Sequence, residues 1–520
     1  MWRPLTPLDF LRRGRSLFAD KTAVVDAERR FTFAAFAERA ERLAGALRAA
    51  GLKPREPVSL LSSNTHPLLE AFYGVPLAGG VVHPVNPRLA PLEIAALVND
   101  AGSRTLFFHR EKTAVVREIL GNLKGVERFV ILEGDAQGLD FPALEYESLL
   151  RGAKPSACDP GGLDEEAPFA LFHTSGGAAR PRGVALSHRT LALHALYAVI
   201  AMGLREEDVS LCSIPFSYMN GGGNPQLNFA VAATSVLARR NDPDALLRLI
   251  ALEQVTVWIT APTVLARLLA RPDLPAGACA SLRLVLVGGA SISEEMVRLA
   301  EERLGARCAS VYGLTETSPF ITAALPRADL PRERWPALQA TAGRPVLGVE
   351  IALLDEGGRE VPHDGETVGE ILVRGNGVMS GYFRDPEATQ RALSGGWLHT
   401  GDLATMDAHG YLALRGRKTD EIVVSGMRVA AAEIEAVLAA HADVERCSVI
   451  AAPDPERGEA PVAIVVRRPG ASASEADLLR HAAERLGRFK VPRAIEFVDG
   501  LPTTESGEVV KSELRTLYAS

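Results

Sequence analysis

Short apolar runs alternating with helical stretches constrain this chain more than any other feature. Val58–Leu61, Thr105–Phe108 and Phe129–Leu132 read as short buried strands, and Val81 and Val82 begin another. Between them, residues 32–50 place Phe36, Ala40, Leu43 and Leu47 at helical spacing before Gly51, and Pro67–Leu77 and Leu92–Asp100 also read as helices. The pattern resumes with helix Thr190–Met202, strand end Leu211–Pro215, strand Val255–Thr260, helix Pro262–Ala270, strand Leu282–Val287 and helix Ser293–Leu304. Strands separated by helices reach their neighbours by crossovers, and a strand apolar on both faces must be covered on both. The expected architecture is therefore α/β, with mostly parallel sheets flanked by helices.

At 520 residues the chain exceeds one compact core, so more than one domain is expected. Beyond Thr341 the texture changes to short strands and Gly-rich turns. The C-terminal part reads as a separate α+β module: helix Ala432–His441, strands Ser448–Ala451 and Val462–Val466, and helix Ser474–Leu486. The start of that last helix, Ser474 with Asp477, suits a capping box.

Composition excludes several classes. A net charge of -7 offers no basic field for nucleic acid, and Arg12, Arg13 and Arg15 read as a solvated helix face. Cys158, Cys212, Cys279, Cys308 and Cys447 are odd in number and widely spaced, which argues against a disulfide frame or zinc site and suits a reducing cytoplasm. The N-terminus lacks the apolar core and cleavage site of a secretory signal. No apolar run reaches the roughly 18 residues of a membrane span. Neither G-x-S-x-G nor a strand followed by G-x-G-x-x-G is present, which argues against a hydrolase elbow and a dinucleotide fold.

The apolar strand at Phe169–Phe172 runs into Thr174, Ser175, Gly176 and Gly177, then Arg180, Pro181, Arg182 and Gly183. Glycines let backbone N–H groups converge on an anion, hydroxyls add donors and arginines add charge. A phosphate cradle and a flexible surface loop both fit this composition, but the Walker spacing is absent. VYGLTET (Val311–Thr317) holds an aromatic, a hydroxyl and a hard carboxylate, which suits a nucleotide with Mg²⁺ or an ordinary helix start. Asp402 lies in a Gly-flanked turn, where a carboxylate can accept from ribose hydroxyls or cap its own backbone. Tyr218, Asn220 and Gly221 open a run of glycines that leaves room for an acyl chain or ring, or simply begins a helix. The turn at Gly426 is open between a ligand contact and a plain hairpin.

Taken in order, these segments resemble the adenylate-forming superfamily of acyl- and aryl-CoA synthetases, luciferases and peptide-synthetase adenylation domains, over essentially the whole chain. The family's T-S-G-T-T-x-x-P-K-G matches at Thr174, Ser175, Gly176, Pro181 and Gly183, with Gly177 and Ala178 for the threonines and Arg182 for the lysine. Y-G-x-T-E matches at Tyr312, Gly313, Thr315 and Glu316. G-G-A matches at Gly288, Gly289 and Ala290, and G-W-x-x-T-G-D ends at Asp402. The resemblance implies that Thr174–Gly177 and Thr315 hold phosphates, Glu316 holds Mg²⁺, Tyr312 lies against adenine, and Asp402 and Arg417 hold ribose. Gly288, Gly289 and Ala290 then line the adenine and acyl sites, and Gly426 passes near the pantetheine of CoA. Tyr218 stands where the family's P-x-F-H has histidine, and with Asn220, Gly221 and Ala261 borders the acyl pocket.

The implied organisation is a large domain over 1–415 and a small mobile lid over 416–520, with a hinge near 416–420 where Thr419 replaces the usual Asp or Lys. The implied activity joins a fatty or aryl carboxylic acid to AMP from ATP and then transfers the acyl group to CoA. Two departures bear on it. Arg182 keeps the charge of the lysine it replaces, in line with a chain of 49 arginines and 8 lysines. Glu508 reverses the charge of the C-terminal catalytic lysine, and Lys511, three residues on, is the nearest basic substitute. The alternative is a relative that binds nucleotide or acyl-CoA with impaired adenylation. The acid, the choice of CoA or a carrier protein, and the oligomeric state, a homodimer among the options, are not set by the sequence.

Overall fold

The computed structural model describes residues 3–157, 162–174, 181–274, 277–289, 292–355, 357–417, 421–502, 509 and 511–518. The alternation of the sequence becomes two large sheets. The first has nine strands, and six of them run parallel in the spatial order Arg307–Tyr312, Leu284–Gly288, Val257–Thr260, Val209–Cys212, Thr234–Leu237 and Thr22–Asp26. The second has eight strands around parallel Val81–Pro84, Pro57–Leu61, Thr105–Phe108 and Arg128–Ile131. A four-stranded antiparallel sheet follows, from Val349–Leu354, Gly369–Gly375, Leu398–Met406 and Leu412–Arg417.

Helix Phe33–Ala49 starts at Thr32, whose hydroxyl accepts from the Ala35 N–H at 3.2 Å, and buries Phe33, Phe36, Ala40, Leu43 and Leu47 on one face. Every residue of helix His66–Leu77 is buried, including Glu70, whose carboxylate accepts from Arg39 at 2.6 Å and the Tyr146 hydroxyl at 2.7 Å. The two helices approach so closely that a Cβ on Gly74 would lie 2.6 Å from Leu43 Cδ2, so only glycine fits there.

A buried charge network ties elements of both large sheets. Arg239, just beyond strand Thr234–Leu237, donates to both oxygens of Asp26 and to both of Glu133. Asp26 also accepts from the His66 backbone and ring, at 2.9 and 2.7 Å. Asp26, His66 and Glu133 are the one trio of metal-type side chains in mutual reach among the described residues. The Arg239 guanidinium already occupies their carboxylates, so the trio is a structural ion cluster.

By proximity the chain divides into two compact units, one of Met1–Pro87, Val98–Phe172 and Gly183–Gly416, the other of Arg88–Leu97, His173–Arg182 and Arg417–Ser520. In the second unit, hairpin Glu421–Val424/Met427–Ala430 and strands Val444–Asp454, Gly458–Arg467 and Ala494–Phe497 form a five-stranded sheet. Helices Ala431–Ala439 and Glu475–Ala483 accompany it, and Ile434, Leu438, Leu478 and Ala482 share its core. The expected capping box is present: the Ser474 hydroxyl accepts from Asp477 N–H, and Asp477 accepts from Ser474 N–H at 3.0 Å. No helix among the described residues is long and apolar enough to cross a membrane.

Candidate active site

The nine-stranded sheet places its motifs at the carboxyl ends of parallel strands, where open α/β sheets bind ligands. Gly288 ends one strand, Tyr312 the next, and Gly288 pairs with Val311. A Cβ on Gly288 would lie 2.9 Å from Val311 Cγ2 and 3.6 Å from Asn220 Nδ2, so the G-G turn and the segment after Ser213 meet here. Gly289 has φ +95°. Beyond Tyr312 the chain doubles back, and a Cβ on Gly313 would lie 1.6 Å from the Pro319 carbonyl oxygen. Glycine is obligatory at that crossing, and the one-turn helix Thr315–Thr317 forms its tip, carrying Thr315 and Glu316.

Asp402 reaches this end from the four-stranded sheet. It was expected in a turn; it lies instead within strand Leu398–Met406, at an irregularity where Glu370 pairs with Leu403 but Leu372 pairs with His399. Gly401 takes φ +73° there, the left-handed geometry of a bulge, which re-aims the side chain that follows. Asp402 is 3 % exposed, and its Oδ2 accepts from the Tyr312 hydroxyl at 2.7 Å. That bond joins the Y-G-x-T-E segment to the aspartate 90 positions later. Glu316 is half-buried; its Oε1 accepts from the Tyr382 hydroxyl at 3.0 Å. Tyr382 is absent from the sequence expectations; a tyrosine within SGYFRDPEAT carries no signal until the fold brings it to Glu316.

The expected acyl-side residues are also in this unit. The Tyr218 hydroxyl accepts from Asn86 Nδ2 at 2.8 Å, and Tyr218 precedes the short helix Met219–Gly222. The glycine run falls in a short helix and at the start of the next, Asn224–Val231. A Cβ on Gly221 would lie 2.3 Å from the Pro215 carbonyl oxygen, and one on Gly222 2.9 Å from a Phe72 ring carbon. The glycines therefore serve close packing. Ala261 precedes helix Pro262–Leu269, and behind it the Thr260 hydroxyl is buried without a hydrogen-bond partner among the described residues.

Thr174, Arg182, Gly426 and Lys511 fall in the second unit. Thr174 ends strand Pro168–Thr174, with its hydroxyl buried and unpartnered among the described residues. Arg182 begins strand Arg182–Ser187 and is half-buried. Ser425 and Gly426, at φ +51° and +77°, make the two-residue hairpin turn that needs positive φ at both positions. The Lys511 ammonium is held by Glu435 at 2.8 Å and the Val449 carbonyl at 3.1 Å. Ser175, Gly176, Gly177, Ala290, Thr419, Glu508 and the Arg417 side chain lie outside the described residues.

Comparison with known proteins identifies the family. A family model described as AMP-binding enzyme matches residues 11–383, and one described as AMP-binding enzyme C-terminal domain matches 433–508. A 3-methylmercaptopropionyl-CoA ligase of Ruegeria pomeroyi is 33% identical over 94% of this chain and 91% of its own. A long-chain-fatty-acid–CoA ligase of Thermus thermophilus is 34% identical over 98% of this chain and 95% of its own. Among solved structures, the amide bond synthetase McbA from Marinactinospora thermotolerans superposes with a TM-score of 0.87 at 32% identity, covering 99% of this chain and 100% of that one. The chain belongs to the AMP-binding enzyme family, the adenylate-forming enzymes.

Proposed function

We propose that this protein is an acyl-CoA synthetase. A carboxylate oxygen attacks the α-phosphorus of ATP, the bond to pyrophosphate breaks, and an acyl-adenylate forms. The CoA thiolate then attacks the acyl carbonyl and AMP leaves. The observation that carries this reading is the Tyr312–Asp402 bond, which sets a ribose-type carboxylate beside the segment bearing Thr315 and Glu316 at one sheet end. Asp402 and Arg417 hold ribose, Tyr312 lies against adenine, and Gly288, Gly289, Ala290 and Gly313 shape the adenine wall. Thr174, Ser175, Gly176, Gly177 and Thr315 donate to phosphates, and Arg182 supplies charge. Tyr218, Asn220, Gly221 and Ala261 border the acid, and Gly426 lies on the pantetheine path.

Glu316 fits a magnesium ion: it is a hard carboxylate whose Oε2 makes no hydrogen bond among the described residues. Mg²⁺ usually takes one or two carboxylates and otherwise phosphate oxygens, so a single glutamate suffices. When bound, the ion neutralises triphosphate charge and fixes its geometry. We assign 1–415 as the large domain and 416–520 as the lid, hinged near 416–420, and place the protein in the cytoplasm, in keeping with the free thiols of Cys212, Cys279, Cys308 and Cys447.

Relatives named as ligases for long-chain fatty acids, butyrate, cinnamate and benzoate support a monocarboxylic acid of low polarity. An acid panel assayed for AMP release with and without CoA tests the reading. It predicts release that requires one acid class and is stimulated by CoA; release independent of every acid contradicts it. Glu508 favours a second reading, a nucleotide-binding relative with impaired adenylation. Under that reading ATP binds, pyrophosphate exchange stays at background, and Glu508→Lys restores it.

A further inference from the structure

Residues 377–383 strap the Glu316 turn to the strand that follows the glycine loop. On one side the Ser318 hydroxyl donates to the Gly377 carbonyl at 2.8 Å, and the Met379 N–H donates to the Glu316 carbonyl at 2.8 Å. On the other, the Ser380 and Phe383 N–H groups donate to Ala185 and Gly183 at 3.1 and 2.7 Å, and Gly381 and Tyr382 pair with Ala185 and Val184. The Tyr382 N–H donates to the Thr389 hydroxyl at 2.8 Å, which anchors the strap to helix Pro386–Ala392. With its backbone held on three sides, Tyr382 presents its hydroxyl to Glu316 Oε1 at 3.0 Å.

We infer that Tyr382 is a positioning residue for the reaction: its hydroxyl orients the Glu316 carboxylate and leaves the other oxygen for the nucleotide-bound magnesium. The inference rests on the proposed role of Glu316. A glutamate has three rotatable side-chain bonds, and freedom removed before the ligand arrives is not lost on binding. A phenol suits the task because it is neutral: it fixes one oxygen while leaving the carboxylate its negative charge. An arginine or lysine at the same place would cancel the charge that attracts the metal.

The test uses the full chain and a non-hydrolysable probe, α,β-methylene-ATP, titrated calorimetrically with Mg²⁺ and with EDTA into wild type, Tyr382→Phe, Glu316→Gln and the double variant. Tyr382→Phe keeps the ring and removes only the hydroxyl. It should weaken the magnesium-dependent affinity about tenfold, the loss of one hydrogen bond to a charged group, with metal-free affinity within about twofold of wild type. The KM for MgATP should rise by a similar factor while the KM for the acid holds, and the double variant should bind no worse than Glu316→Gln. Wild-type magnesium dependence in Tyr382→Phe, with that dependence lost in Glu316→Gln, overturns the inference and leaves the assignment of Glu316 standing. Equal losses with and without metal also overturn it, since they mark general structural support. Magnesium dependence retained in Glu316→Gln overturns the assignment of Glu316 itself, and the role of Tyr382 with it.

Discussion

Two carboxylates of the first unit and one ammonium of the second are held in opposite ways. At the end of the nine-stranded sheet, Asp402 and Glu316 each accept from a tyrosine hydroxyl, at 2.7 and 3.0 Å. A phenol orients a carboxylate without adding a counter-charge. In the C-terminal unit the Lys511 ammonium is paired with the Glu435 carboxylate and capped by a carbonyl, and its charge is cancelled locally. Neutral groups hold the two carboxylates, whereas the ammonium is held by an anion. Glu508 stands where the resemblance implies a lysine, and its charge bears directly on the proposed adenylation.

The largest effect that can break this contrast is at Asp402. Asp402→Ala should lower kcat/KM for ATP by about 10²–10³-fold, the usual loss for an oriented group in a water-poor site. A smaller loss in steady-state assays would mean that its bond to Tyr312 is only structural. Glu508→Lys should raise acid-dependent pyrophosphate exchange by about 10²-fold, because it replaces a repulsive charge with an attractive one. No gain there would show that another group already supplies the cation.

Acid stability gives a test within the first unit. Burial pushes the His188 and His194 imidazoles down to about 4 and about 3, so both are neutral in the folded protein at neutral pH. The unfolded chain takes up their protons below the ordinary histidine value and the folded chain does not, so stability is complete above pH 6.5 and falls as pH drops towards 4 and 3. The Glu133 carboxyl, despite partial burial, is held down at about 2 by bonds from His109 and Arg239; its contribution is present above its unfolded value and is lost as pH falls towards 2. Calorimetry from pH 7 to 4 should show the first unit losing about 1.4 kcal/mol per pH unit for each histidine once below the unfolded pKa. His194→Gln should reduce that slope. The smallest effect is at Lys511. Lys511→Gln should change activity by less than about threefold and stability by about 1 kcal/mol or less, as for a partly exposed ion pair; a hundredfold loss of exchange would identify Lys511 as the substitute cation.

What was legible in the sequence follows from range. Helix Phe33–Ala49, helix His66–Leu77 and the Ser474 capping box are set by neighbours within a few positions, and spacing reveals them. Asp402 and Glu316 were legible as motif members. Their pairings with tyrosines were not, because Tyr312 lies 90 positions from Asp402 and Tyr382 lies 66 from Glu316. The Arg239–Asp26 pair, 213 positions apart, was invisible for the same reason. The glycines at 221–223 stayed open for a different one: composition shows that side chains are missing, but not whether a ligand or the protein's own backbone fills the space.

The most direct test of the account is carboxylate-dependent exchange of labelled pyrophosphate into ATP, measured across an acid panel for wild type and Asp402→Ala. The account predicts exchange that needs both magnesium and a particular acid and that collapses in the variant. Binding of ATP with no exchange for any acid, in wild type and Glu508→Lys alike, would contradict it.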